Sequence, residues 1–120
     1  MKVAITAQGQ ELSSLMDLRF GRAKWIHVVD TGTGEHQVHD NAVHSNLSQG
    51  AGIQTGQNIA NLGVEAVITG NVGPNAFRTL DAAGIKVFLA AQQTVEQAVT
   101  ALKEGQLQEI GQANVEGHWV

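Results

Sequence analysis

The chain reads as an α/β protein built on a mixed, mostly parallel sheet with helices on both faces. Three observations lead there. A hairpin signature stands in the first third, apolar β-branched runs alternate with helical periodicity in the rest, and a glycine closes each helical stretch. The elements fall in the order β-β-β-α-β-α-β-α. Right-handed βαβ crossovers in the second half place helices on both faces of the sheet. The 120 residues hold no linker, repeat or low-complexity tract, which fits one domain.

Residues 2–6 (Lys-Val-Ala-Ile-Thr) give the first strand, followed by a long polar loop over residues 7–21. Residues 25–30 alternate between two faces and give a second strand. Thr31-Gly32-Thr33-Gly34 is turn chemistry, and a third strand runs near residues 35–40, completing a hairpin. Residues 41–50 are polar and irregular. From about Ala51, the positions Ile53, Ile59, Ala60 and Leu62 support a helix that closes at Gly63, a residue suited to the left-handed cap. Val64, Ala66, Val67 and Ile68 form an interior strand that runs straight into Gly70-Asn71-Val72-Gly73-Pro74. Pro74 suits a first helical residue, because the N–H it lacks would be orphaned there anyway. Phe77, Leu80 and Ala83 describe a second helix ended by Gly84, and residues 85–89 another strand. Thr94-Val95-Glu96-Gln97 is a capping box opening a third helix, whose stripe is Val95, Ala98, Val99 and Leu102 and whose stop is Gly105. The domain is therefore expected over residues 1–107. Residues 108–120 are expected as a partly mobile C-terminal tail in which Trp119 docks.

Composition narrows the function. The chain has no cysteine, which excludes disulfides and any thiolate-ligated zinc or iron–sulfur site. No signal peptide or membrane-spanning run stands out, so a soluble cytoplasmic protein without a membrane partner is expected. The net charge of −4 disfavours nucleic acid. Three of the seven Lys and Arg residues nevertheless fall in Arg19-Phe20-Gly21-Arg22-Ala23-Lys24, a local cluster that suits a small anion.

In sheets of this kind ligands bind beyond the carboxyl ends of the strands. A strand feeding a glycine loop and a helix N-terminus is a common way to hold an anion, through free N–H groups and the helix dipole. Gly70, Asn71, Val72, Gly73 and Pro74 make one such loop. Ser48-Gln49-Gly50-Ala51-Gly52 opens the first helix in the same way, so Gln49, Gly50, Ala51 and Gly52 are candidates too. Arg19, Phe20, Gly21 and Arg22 are the third group, with the arginines supplying charge; a surface turn with Phe20 in the core is the alternative. His36 and His39 lie three apart in a strand and face opposite sides, so they do not chelate one ion; His44, in the polar loop, is the better polar contact. His27 and His118 receive no role. Only Asp30 and Asp40 could meet as a carboxylate pair, across the hairpin. No phosphate-loop, dinucleotide or nucleophile-elbow motif is present, so no catalytic residue is assigned and an enzyme is not expected.

These motifs, in this order, resemble the dinitrogenase iron–molybdenum cofactor biosynthesis family over almost the whole chain. The marks are Lys2-Val3-Ala4-Ile5, Arg19-Phe20-Gly21-Arg22-Ala23, Gln49-Gly50-Ala51-Gly52, residues 67–76 and Thr94-Val95-Glu96-Gln97-Ala98. The resemblance implies a ribonuclease-H-like fold with a five-stranded mixed sheet. It also implies a non-catalytic binding or carrier role for a molybdenum–copper sulfide cluster or a related iron–molybdenum–sulfur cluster. Family members often show His-Gly-x-Gly where this chain has Gln49-Gly50-Ala51-Gly52, so no histidine ligand carries over to Gln49. Two alternatives stay open. One is a sensor or enzyme for a phosphorylated small molecule using the same helix ends. The other is a partner-binding module in a cofactor-assembly or cell-division complex.

Overall fold

A computed structural model describes residues 1–116 of the chain. Its strands are β1 (Lys2–Ala7), β2 (Trp25–Asp30), β3 (His36–Asp40), β4 (Ala66–Thr69), β5 (Lys86–Leu89) and β6 (Gln108–Ile110). Its helices are α1 (Ala42–Ser45), α2 (Ala51–Asn61), α3 (Pro74–Ala82) and α4 (Val95–Lys103), with a 3₁₀ turn at Phe20–Arg22. The strands form one sheet in the order β3-β2-β1-β4-β5-β6. β1, β4 and β5 pair in parallel, while β2 and β6 run antiparallel to their neighbours.

The expected five strands become six. Gln108-Glu109-Ile110 pairs with Leu89, Phe88 and Val87, inside the segment expected as a tail. A strand this short and polar has no periodicity of its own to read; it exists because β5 offers an open edge. His118 and Trp119 lie outside the described residues. Residues 42–45, expected as irregular, make one helical turn. The other elements lie where periodicity places them. Gly63, Gly84 and Gly105 hold φ of +71°, +73° and +70° just past their helices, the conformation a left-handed cap requires.

Alternation along the central strands sorts the core into two layers. Ala4 and Val67 point to the face covered by α2 and α3, where they join Phe20, Ile26, Ile59, Val72, Ala76 and Leu80. Val3, Ile5, Ala66 and Ile68 point to the other face and meet α4 through Val95, Ala98 and Val99. Ile59 and Leu80 are fully buried, and each contributes about 1.5–3 kcal/mol by area removed from water. α4 starts with the expected capping box: Thr94 Oγ1 accepts from Gln97 N–H at 3.1 Å, and Gln97 Oε1 accepts from Thr94 N–H at 2.9 Å. Among the described residues no helix is long and apolar enough to cross a membrane.

Candidate functional site

The contact between α2 and α3 brings both helix N-termini to the same end of the sheet. α2 carries glycine where α3 comes closest. A Cβ on Gly52 would stand 3.1 Å from Ala76 Cβ, and one on Gly56 would stand 3.1 Å from Thr79 Cγ2. The side chains of Ala76 and Thr79 on α3 therefore rest against the bare glycine backbone of α2. At their N-terminal ends the two helices leave a pocket of ≈70 Å³ lined by Gly50, Ala51, Gly52, Ile53, Gly73, Asn75 and Ala76.

The pocket is rich in backbone donors. In α2 the first N–H to bond back is that of Gln54, to Gly50 C=O at 3.0 Å, so the N–H groups of Ala51, Gly52 and Ile53 precede the helical series. In α3 the first is Phe77, to Gly73 C=O at 2.9 Å, which leaves those of Asn75 and Ala76; Pro74 has none. Each helix adds roughly half a positive charge at this end. Ala51, Ile53 and Ala76 make the lining partly aliphatic in composition.

The loop before α3 differs from the sequence reading in one respect. Asn71 N–H donates to Leu18 C=O at 2.6 Å, and Val72 N–H donates to Asn114 Oδ1 at 2.8 Å. These two donors are taken, and of this loop and the helix start after it only Gly73, Asn75 and Ala76 line the pocket. Gly70 serves close approach instead: a Cβ there would stand 2.6 Å from Leu18 Cβ. The side chains of Phe20 and Val72 are fully buried in the core and act as walls from behind, not as contacts within the pocket.

The structure brings Gly21 against this site. Its missing Cβ would stand 2.8 Å from Gly52 N and 2.9 Å from Gly52 Cα, so the 3₁₀ turn seats directly on the first turn of α2. Arg22 Nη1 donates to Ser45 C=O at 3.1 Å and also to Leu47 C=O, which ties down the connection leading into α2. Arg19 keeps an exposed guanidinium, with Nε 3.5 Å from Asp17 Oδ1, and its backbone pairs with Asn71. Gln49 is exposed just ahead of Gly50. His44 lies in α1, outside the pocket lining.

Asp30 and Asp40 do not meet. Asp30 pairs in register with Lys2 at the turn end of the hairpin, and Asp40 with Trp25 at the other end. Asp30 Oδ1 accepts from Gly32 N–H at 2.8 Å and Thr33 N–H at 3.2 Å, and these bonds hold its carboxyl below the usual range. Among the described residues no three His, Asp or Glu side chains converge as a metal site would require.

His27 is the residue passed over in the sequence. It is fully buried, with Nε2 2.8 Å from Gly9 C=O and Nδ1 2.8 Å from His36 Nε2. A carbonyl only accepts, so Nε2 carries the proton, and Nδ1 takes a hydrogen bond from His36 when His27 is neutral. Burial, first of all, pushes its pKa below the ordinary 6.5, with the His36 charge acting in the same direction and the Gly9 bond opposing. The pair lies on the α4 face, away from the pocket, and fastens the β1–β2 loop to the hairpin. The sequence shows no more than a histidine alternating with Trp25 and Val29 along a strand.

Comparison with known proteins then places the chain. A family model described as dinitrogenase iron-molybdenum cofactor matches residues 1–105. The structure is similar to that of the apo orange protein from Desulfovibrio gigas, with a TM-score of 0.92 and 43% identity, covering 95% of this chain and 96% of that one. It is also similar to a Thermotoga protein described as belonging to the DUF35 family, with a TM-score of 0.84 and 40% identity over 97% and 98% of the two chains. Among curated proteins, an uncharacterized protein of Methanocaldococcus jannaschii is 29% identical over 111 residues, 90% of each chain.

Proposed function

The chain belongs to the dinitrogenase iron–molybdenum cofactor family, and from that premise we propose that it is a non-catalytic carrier of a molybdenum-containing metal–sulfur cluster. The cargo is a molybdenum–copper sulfide cluster or a related iron–molybdenum–sulfur species. The observation that carries this reading is the meeting of two helix N-termini over one small pocket, with N–H groups from Ala51, Gly52, Ile53, Asn75 and Ala76 around it. Such a set recognises a compact anion without choosing its chemistry. The absence of cysteine makes the choice narrower: the chain offers no thiolate, so a metal–sulfur cargo must bring its own sulfur. Sulfide is a weakly hydrated acceptor that tolerates apolar neighbours, and Ala51, Ile53 and Ala76 provide them. Arg19 adds positive charge beside Asn71, and Arg22 holds the chain leading into α2. The first five strands, ordered β3-β2-β1-β4-β5 with β2 antiparallel, support the ribonuclease-H-like reading of the sheet.

The test is reconstitution. Tetrathiomolybdate and copper added to apo protein should give a visible chromophore that co-elutes with the chain on gel filtration. Spectra identical to those of the free metals after the column would sink the proposal. The same donors could take a phosphorylated small molecule. In that case phosphate-bearing ligands would raise the melting temperature and thiomolybdate would not.

A further inference from the structure

The segment following β6 reaches back to the candidate site through a single residue. Asn114 N–H donates to Val72 C=O at 3.2 Å, and Asn114 Oδ1 accepts from Val72 N–H at 2.8 Å. Its Nδ2 donates to Gly70 C=O at 3.1 Å and to Asn71 Oδ1 at 3.4 Å. An asparagine side chain thus completes a strand-like pairing with the loop that leads into α3. The opposite side of that loop is held by the chain around the 3₁₀ turn: Asn71 N–H bonds to Leu18 C=O at 2.6 Å, and Phe20 N–H to Asn71 C=O at 3.1 Å. The loop is gripped from both sides immediately before Gly73, the cap residue of α3 and a wall of the pocket.

We propose that Asn114 is a positioning residue of the cargo site, and that residues 111–116, which follow β6, form a strap fixing the mouth of α3. This inference rests on the carrier reading. Asn114 is not among the residues lining the pocket, and it is exposed, so a requirement for core packing does not explain its four hydrogen bonds. Its side-chain amide satisfies a donor and an acceptor at once, which a hydrocarbon side chain cannot do. With the strap in place, Val72 N–H and Gly70 C=O are satisfied by Asn114, and the next donors, on Asn75 and Ala76, keep one orientation toward the pocket. Without it, the loop keeps only its anchors near the 3₁₀ turn, and the α3 end of the pocket loses its fixed distance from the α2 end.

The experiment uses the full chain loaded with tetrathiomolybdate and copper, and follows loss of the visible chromophore into a chelator well below the melting temperature. N114A should release the chromophore about tenfold faster, as expected when a supporting hydrogen bond behind a metal site is removed. Its Val72 amide should also lose protection from hydrogen exchange, while amides of α4 keep theirs. T94A, which removes a helix cap remote from the loop, is the control for simple destabilisation and should leave the release rate unchanged. Equal release by wild type and N114A overturns the inference and leaves the carrier reading standing, as does T94A releasing as fast as N114A. Failure of the wild-type protein to take up the chromophore overturns the carrier reading and this inference with it.

Discussion

Replacing Asn75 by aspartate should move stability and binding in opposite directions. Asn75 is the second residue of α3, exposed, and part of the pocket lining. The change is nearly isosteric and adds one negative charge in the first turn of a helix that has no acidic residue there. Against the helix dipole that charge is favourable by about 0.3–1 kcal/mol, so apo N75D should melt slightly higher than wild type at low ionic strength. Against an anionic cargo the same charge is unfavourable. At roughly 6 Å in water's dielectric, two unit charges repel by about 0.7 kcal/mol, so a dianion loses about 1.4 kcal/mol, close to tenfold in affinity. Optical titration with tetrathiomolybdate and copper measures the affinity, and thermal unfolding of the apo protein measures the stability. Both differences should shrink as salt approaches 1 M, where screening reaches about 3 Å. Affinity equal to wild type at low salt would refute the placement of the anion at the α2–α3 pocket. A fall in both quantities would show that the substitution merely damages the fold.

Three further outcomes follow from the geometry. G21A drives a Cβ into the backbone of Gly52, 2.8 Å from its nitrogen, and should cost about 1–3 kcal/mol in urea unfolding while weakening cargo uptake; a neutral effect would mean that the 3₁₀ turn does not seat on α2. T94A removes the capping box of α4 and should cost about 1 kcal/mol, read as a lower thermal midpoint with uptake unchanged. His27 carries a pKa below its ordinary 6.5, so its neutral form is favoured by the fold. Its contribution to stability is complete above pH 6.5 and is lost as pH falls through the depressed folded value, because the unfolded chain then binds the extra proton more readily. Urea unfolding at about pH 7.5 and about pH 5 should show this loss in wild type and a flatter dependence in H27Q; equal slopes would exclude His27 as the linked group.

Much of the fold is legible because its signals are local. The hairpin is announced by Thr31-Gly32-Thr33-Gly34, the helix ends by Gly63, Gly84 and Gly105, and α4 by the reciprocal Thr94–Gln97 box. The two glycine loops are equally visible, and topology alone brings them to one end of the sheet. What escapes the sequence depends on partners far away in the chain. β6 is three residues whose identity as a strand comes from the open edge of β5. The donors of Asn71 and Val72 look free in a linear reading, but Leu18 and Asn114 take them. His27 and His36 meet only because the hairpin register sets His36 opposite Val29, diagonal to His27, and because the loop after β1 brings Gly9 back over the pair. For the Arg19–Arg22 turn the sequence leaves two readings open, and the structure takes the one with Phe20 in the core, while the contact of Gly21 with the first turn of α2 is set by a partner some thirty residues on.

The most direct measurement is an amide-resolved NMR titration of the isotope-labelled protein with tetrathiomolybdate and copper. Shifts concentrated at Ala51, Gly52, Ile53, Gly73, Asn75 and Ala76 are the expected result, with the amides of α4 and of His27 unmoved. Shifts centred on the His27–His36 pair, or none at all, would contradict a carrier that holds its cargo between the two helix ends.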